Sequence, residues 1–314
     1  MTVETVLNDD DDGGRTEALG SAARCSVARR FLNHRLGVLG AAVLGVLIAA
    51  AAAAPLFEAW LGCHREAIDL TLRLAGPSWE HPLGADELGR DLLLRLLYGG
   101  RVSLFVGLVA ALISSGVGAS IGLTAGYLGG RVDAVLMRLT DAVIALPMLP
   151  LLIVLAAADP SRLGFAQGVL DSDQADLYRI ILIVAFGGWT TVARLVRGAT
   201  LAVRQRDFVR AAEAMGARPL RLVRCHILPN VASPIVVATT LAVGNIILLE
   251  SVLSFLGLGI QPPTPSWGNM LTNAQELLTA APVQAVWPGA LIFVTVIAFN
   301  LLGDALQDAL DPRA

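Results

Sequence analysis

Mostly apolar runs occupy Leu36–Ala54, Val102–Thr124, Ala134–Ala157, Ile180–Val196, Ile235–Phe255 and Val286–Leu302, separated by polar connections. Each run approaches the ~20 residues a helix needs to cross a bilayer. The pattern predicts an all-α integral membrane protein with six transmembrane helices, since a helix satisfies every backbone group within its own segment in lipid. The long connections are 55–101, 158–179, 197–234 and 256–285. Only 197–234 is densely basic, with Arg197, Arg204, Arg206, Arg210, Arg218, Arg221 and Arg224. Positive residues stay inside, which places this loop in the cytoplasm beside Arg24, Arg29, Arg30 and Arg35. Six spans bring both termini to that side, so the two constraints agree. A cleaved first span, or Leu92–Leu97 dipping into the bilayer, would change the count.

The expected organisation is a largely disordered cytoplasmic tail over 1–35, carrying the run Asp9-Asp10-Asp11-Asp12. A first span follows over 36–54. An external loop with an interfacial helix covers 55–101, a core with the cytoplasmic loop 197–234 covers 102–307, and a short cytoplasmic tail covers 308–314. The first run also resembles the core of a secretory signal. The tail before it is too long and too acidic for one, so a retained span is expected.

Composition sharpens this picture. Of 314 residues, 55% are hydrophobic and 16% charged, and the mean hydropathy is +0.67, an apolar excess over soluble domains. All 23 basic residues are Arg. A P-loop needs a Lys on the β- and γ-phosphates, so this chain is not a standard P-loop ATPase. The net charge of −3 carries no nucleic-acid signal. Cys25, Cys63 and Cys225, and His34, His64, His81 and His226, are scattered over both faces and offer neither a disulfide framework nor metal spacing.

Within the spans, Gly118, Gly122 and Gly126 recur at helical spacing and predict close helix packing. Pro147 and Pro150 should kink or loosen the third span. Asp141 has Arg138 one turn earlier as an expected partner. Glu250 either faces a central pathway or hydrogen-bonds a neighbouring helix, the second being preferred. Asn300 and Asp304 near the end of the last span fit a packing role.

The basic loop reads as two short helices with a break. Asp207 is the expected N-cap, and Phe208, Ala211, Ala212 and Met215 form one small apolar face. Gly216 ends the first helix, and Pro219 suits the first turn of the next. Over Leu220 to His226, Leu220, Val223 and Ile227 face one side, with Arg218, Arg221 and Arg224 elsewhere. An amphipathic helix resting on lipid headgroups accounts for the charge. The Ala-Ala face and Gly216 favour a helix seated in a protein groove.

These residues carry a resemblance. Over about residues 30–313 the chain resembles a C-type permease subunit of the dipeptide, oligopeptide and nickel ABC importers. The matching motifs are the loop around Ala211-Ala212-Glu213, Gly216 and Leu228-Pro229, with HPLGADELGRD at 81–91 and LRLLYGGRVSL at 94–104. GYLGGRVD at 126–133, LSFLGLG at 253–259, PPTPSWG at 262–268, and NLLGD with DALDPR at 300–313 complete the set. Arg210 stands where the family has its first coupling-motif Glu, Ala85 where Thr is frequent, and Leu94 where Ser is frequent. The acidic N-terminal tail is longer than expected for the family.

The resemblance implies a permease in a bacterial inner membrane, not an enzyme. It implies a homologous second permease, two P-loop ATPase subunits and an external substrate-binding protein as partners, with lipid around it and no nucleic acid. ATP and Mg would sit on the partner subunits, leaving this chain without a cofactor. The ATPase would hold Phe208, Ala211, Ala212, Glu213, Met215, Gly216, Arg218 and Leu220. Asp86, Gly89, Arg90 and Asp91 would form an external gate or a seat for the binding protein, against the plainer reading of a capped, salt-bridged interfacial helix. The cargo would be a short peptide, with nickel as the alternative. An intramembrane protease built on Ser254 lacks a His in any span. A stand-alone secondary transporter would have no need of the basic loop.

Overall fold

The computed structural model describes residues 28–158 and 175–310, so the acidic tail, Cys25 and the Asp311-Pro312-Arg313 end of the last motif lie outside the described residues. Among the described residues, five helices are long and apolar enough to cross a membrane: α1 (Arg35–Ala52), α3 (Leu92–Leu128), α6 (Ala175–Arg204), α8 (Pro219–Phe255) and α10 (Pro282–Leu310). Shorter helices are α2 (Ala54–Leu61), α4 (Gly130–Ala145), α5 (Met148–Ala157), α7 (Asp207–Ala214) and α9 (Ala274–Ala280). The run expected as a third span is α4 and α5 together, bent by 83° at the break, and counting this pair as one span gives six. The break has a local cause. Leu146 is extended, as a residue before proline prefers. Pro147 then caps α5, and Pro150 sits in its first turn, where a missing N–H costs little.

Several boundaries differ from the sequence reading: α6 runs on to Arg204, inside the expected loop 197–234, and α10 to Leu310, inside the expected tail. The second span starts at Leu92, so the last ten residues assigned to the 55–101 loop are helical. No helix covers 86–91; these residues form a turn that feeds α3, and the loop's own helix is α2. The second helix expected in the basic loop is the beginning of α8, where Leu222–Ile227 take a π-helical turn that runs on into Leu228.

Small residues set the packing of α3 on α6. A Cβ at Gly118 would lie 2.5 Å from the Trp189 carbonyl oxygen, at Gly122 2.5 Å from that of Ala193, and at Gly126 2.7 Å from Thr200 Cβ. Between helices in lipid such close backbone approach supplies the attraction that the hydrophobic effect does not. Beside this seam, Val106, Ala110, Leu152, Ile183, Val184, Ile246 and Ile247 form the main core. The loop after α8 folds back into the bundle. Trp267 is buried against Gly100 and donates its indole N–H to the Leu96 carbonyl at 2.9 Å. Leu39, Val46, Phe105, Leu112 and Phe293 point outward as a lipid-facing belt requires.

The seam predicts a contrast between two glycines of one helix. Gly122→Leu drives a side chain into the α6 backbone and should abolish recovery of monodisperse protein from membranes, overpacking costing at least about 1–3 kcal/mol. Gly116 has open space around its Cβ, so Gly116→Leu should be recovered at wild-type yield. Equal yields of the two variants by size-exclusion chromatography would contradict the seam.

Candidate functional site

Sequence-predicted site residues gather at the two ends of α3. At the Leu128 end, α7 starts at Asp207 after an extended Arg206. Asp207 is therefore the first helical residue and not the N-cap, and its side chain makes no capping bond. Its charge still suits the positive end of the helix. The other end of α7 is closed as expected. Gly216 is left-handed (φ 83), its N–H donates to the Glu213 carbonyl at 2.9 Å, and the Ala217 N–H donates to that of Ala212 at 3.1 Å. These two bonds satisfy carbonyls that a helix end leaves open.

The face of α7 divides differently from the sequence reading. Ala212 turns inward with Val209 and packs on Leu222, flanked by Tyr127, Val203 and Ala217. Phe208, Ala211, Glu213 and Met215 stay exposed, Met215 to 82%. In α8 the buried anchor is Leu222, 2% exposed, whereas Leu220 points out. Val209 and Leu222 escaped sequence reasoning, although Val209 and Ala212 carry the i, i+3 signal. The outward surface thus sets Phe208, Met215 and Leu220 among the exposed arginines Arg206, Arg210, Arg218, Arg221 and Arg224. Arg204 and Arg197 belong to the scaffold. The first stacks over Tyr127 at 5.6 Å, and the second grips Asp133 with two guanidinium nitrogens, one at 2.6 Å.

At the Leu92 end, Asp91 caps α3. Its Oδ1 accepts from the Leu94 N–H at 2.8 Å, and its Oδ2 lies 2.9 Å from His81 Nδ1. Asp86 Oδ1 accepts the Leu88 and Arg90 N–H groups at 2.8 and 2.9 Å. Its Oδ2 takes Arg90 Nε at 2.8 Å, Arg90 Nη2 at 2.7 Å and Arg95 Nε at 3.2 Å. Gly89 is left-handed (φ 74), and a Cβ there would sit 1.7 Å from the Asp69 carbonyl oxygen. The four predicted residues are thus brought together by a turn, and Arg95, read in the sequence only as part of the motif at 94–104, joins them. Beside them a cleft of about 80 Å³ is lined by Asp86, Arg90, Arg95, Asn269, Asn273 and Gln284, among others.

The remaining candidates lie apart. Asp141 pairs with Arg194 of α6 at 2.5 Å, not with Arg138, which is exposed. A second cavity of about 380 Å³ opens at the α4–α5 break beside Thr190, Thr191 and Arg194. Glu250 is fully buried and accepts the Ser254 hydroxyl at 2.7 Å and the Ser103 hydroxyl of α3 at 3.4 Å, which is the helix-bonding alternative. Ser254 is committed to this bond and to the Ile260 N–H. Asn300 and Asp304 are exposed on α10 rather than packed within the chain. Among the described residues no three His, Cys, Asp or Glu side chains gather as a metal site.

Residues 118–314, most of the core, match the family described as binding-protein-dependent transport system inner membrane component. The chain belongs to this family. It is 40% identical over 260 residues, 82% of the chain, to the probable D,D-dipeptide transport system permease protein DdpC of Escherichia coli (strain K12), covering 83% of that protein. To the oligopeptide transport system permease protein OppC of Bacillus subtilis (strain 168) it is 34% identical, with 90% and 88% covered. To the glutathione transport system permease protein GsiD of Pectobacterium atrosepticum the identity is 39%, with 91% and 89% covered. Family members are membrane components of transport systems, not enzymes.

The anchoring of α7 gives a local prediction. Leu222→Ala removes its buried partner, at a cost of about 2–5 kcal/mol if the site collapses poorly. Amide hydrogen exchange should quicken over 207–216 while α3 and α6 keep their protection. Unchanged exchange in α7 would show that something else holds it.

Proposed function

We propose that this chain is the permease subunit of an ATP-driven importer of short peptides delivered by a binding protein. The observation that carries the reading is the uncovered surface of α7 and early α8. Phe208, Met215 and Leu220 stand exposed inside a ring of arginines. Apolar side chains set in a mainly basic surface, with Asp207 and Glu213 as its exposed acids, suit a protein partner, and a partner ATPase would take them in a surface cleft. Positive-inside bias orients this surface, and with it both termini, to the cytoplasm. The turn at 81–91 then faces outside, toward the binding protein. A sister permease would complete the pathway, and two P-loop ATPases would hold ATP and Mg.

ATP drives such a cycle only if its binding differs between outward- and inward-facing states. In this reading α7 conveys ATPase closure to the spans through Val209, Ala212 and Leu222. Peptide is preferred to nickel as cargo because the relatives above are named for peptides and glutathione.

Met215→Asp places a charge on the docking surface without touching the core. It should leave the chain in the membrane with its sister permease, lose the ATPases on purification and abolish labelled-dipeptide uptake. Gly216→Leu forces a side chain into a left-handed position at about 1–2 kcal/mol and should likewise uncouple uptake. Normal uptake by both variants would refute docking at this surface. Uptake of radiolabelled nickel in place of dipeptide would reassign the cargo. Uptake that persists in ATP-depleted vesicles holding an ion gradient would make the chain a secondary transporter.

A further inference from the structure

We infer that the cleft beside Asp86 is a subsite for one carboxylate, gripped by Arg95. Arg95 is 6% exposed, sits in the first turn of α3 and lines the cleft. Its Nε is spent on Asp86, but its Nη1 is buried with no hydrogen-bond partner among the described residues. Leaving a buried guanidinium N–H unpaired is costly, and a charge-assisted bond to an anion removes that cost.

No side chain lining the cleft accepts from Arg95 Nη1. Asp86 Oδ2 already accepts the Arg90 Nε–H at 2.8 Å and lies within ion-pair distance of Arg90 Nη2 and Arg95 Nε. Glu87, at the rim, accepts from Asn273 Nδ2 at 2.9 Å. Asn269 Oδ1 accepts the Ser266 N–H at 2.9 Å, and the Gln284 amide is oriented by its Nε2 donating to the Ala85 carbonyl. Arg90 and Arg95 are matched in number by Asp86 and Glu87 in the cleft lining, so a bound carboxylate is drawn by the unpaired Nη1 and not by an excess of positive charge. The planar guanidinium favours carboxylate geometry. A volume of about 80 Å³ admits the carboxylate end of a larger molecule. That end belongs either to a peptide terminus or to an acidic side chain of the binding protein.

The test uses the assembled transporter, this chain with sister permease and ATPases, in lipid nanodiscs. Sodium acetate is titrated against sodium chloride at equal ionic strength, and the thermal midpoint is read. The expected result is a saturable, acetate-specific rise in the wild type that is lost in Arg95→Gln. No specific rise in the wild type, or an undiminished rise in Arg95→Gln, overturns the subsite. Should Arg95→Gln fail to assemble, Thr272→Trp fills the exposed mouth while keeping the buried ion pair, and persistence of the rise in it overturns the subsite equally. A rise with glycylglycine but not its C-terminal amide assigns the carboxylate to the cargo. Acetate competing with association of the amide-loaded binding protein assigns it to that protein. The cleft's outward orientation rests on the importer reading, but acetate binding does not, so failure of one is distinguishable from failure of the other.

Discussion

The close approach of α3 to α6 is the constraint from which the other positions follow. Lipid offers no water to expel between helices, so their association relies on contact and on small residues that permit it. Gly118, Gly122 and Gly126 place one backbone against the other. α3 has 37 residues, so this seam holds a helix about 55 Å long at ~1.5 Å per residue. Both candidate surfaces are built on its ends. Asp91 and Arg95 organise the turn at one, and Tyr127 helps bury the inner face of α7 at the other.

A second constraint joins α3 to α8. Glu250 is a buried carboxyl group whose surroundings are hydroxyls rather than a cation. Ser103 and Ser254 donate to it, and the same two oxygens accept the Trp267 and Ile260 N–H groups at 3.2 Å each. One acidic side chain thereby fixes two spans and the returning loop, satisfying backbone donors that have no helical partner there. An acid deep in a membrane protein invites a pathway role, but this network gives Glu250 an architectural one.

Features that depend on local chemistry were legible in the sequence. Gly216 ends α7, Pro147 and Pro150 break the third apolar run, and the glycine stripe marks a seam. Each follows from what one residue type does to the nearby backbone. Features that depend on a distant partner were not. Asp141 meets Arg194 because α4 lies along α6, which no i, i+3 count reveals. Arg95 interrupts an apolar run and reads as a loop residue, yet Asp86 draws it into the first turn of a span. Ala212 faces inward because Leu222 waits there, a contact made only once the chain has turned at Gly216. Arg206, not Asp207, precedes α7 because the helix begins one residue earlier than the best capping side chain suggests.

The continuity of α8 has a mechanical consequence. Pro219–Phe255 is a continuous helical run of 37 residues, with a π-helical turn at Leu222–Ile227 and Pro234 within it, the anchor of α7 near its start and Glu250 near its finish. A rod of that kind converts angle into distance. With a rise of about 1.5 Å per residue, a tilt of roughly 5° about one end carries the other through about 4–5 Å. In the importer proposed above, a partner pressing on α7 would work the long arm of this lever, with the serine-bound carboxyl near the far end as its fulcrum.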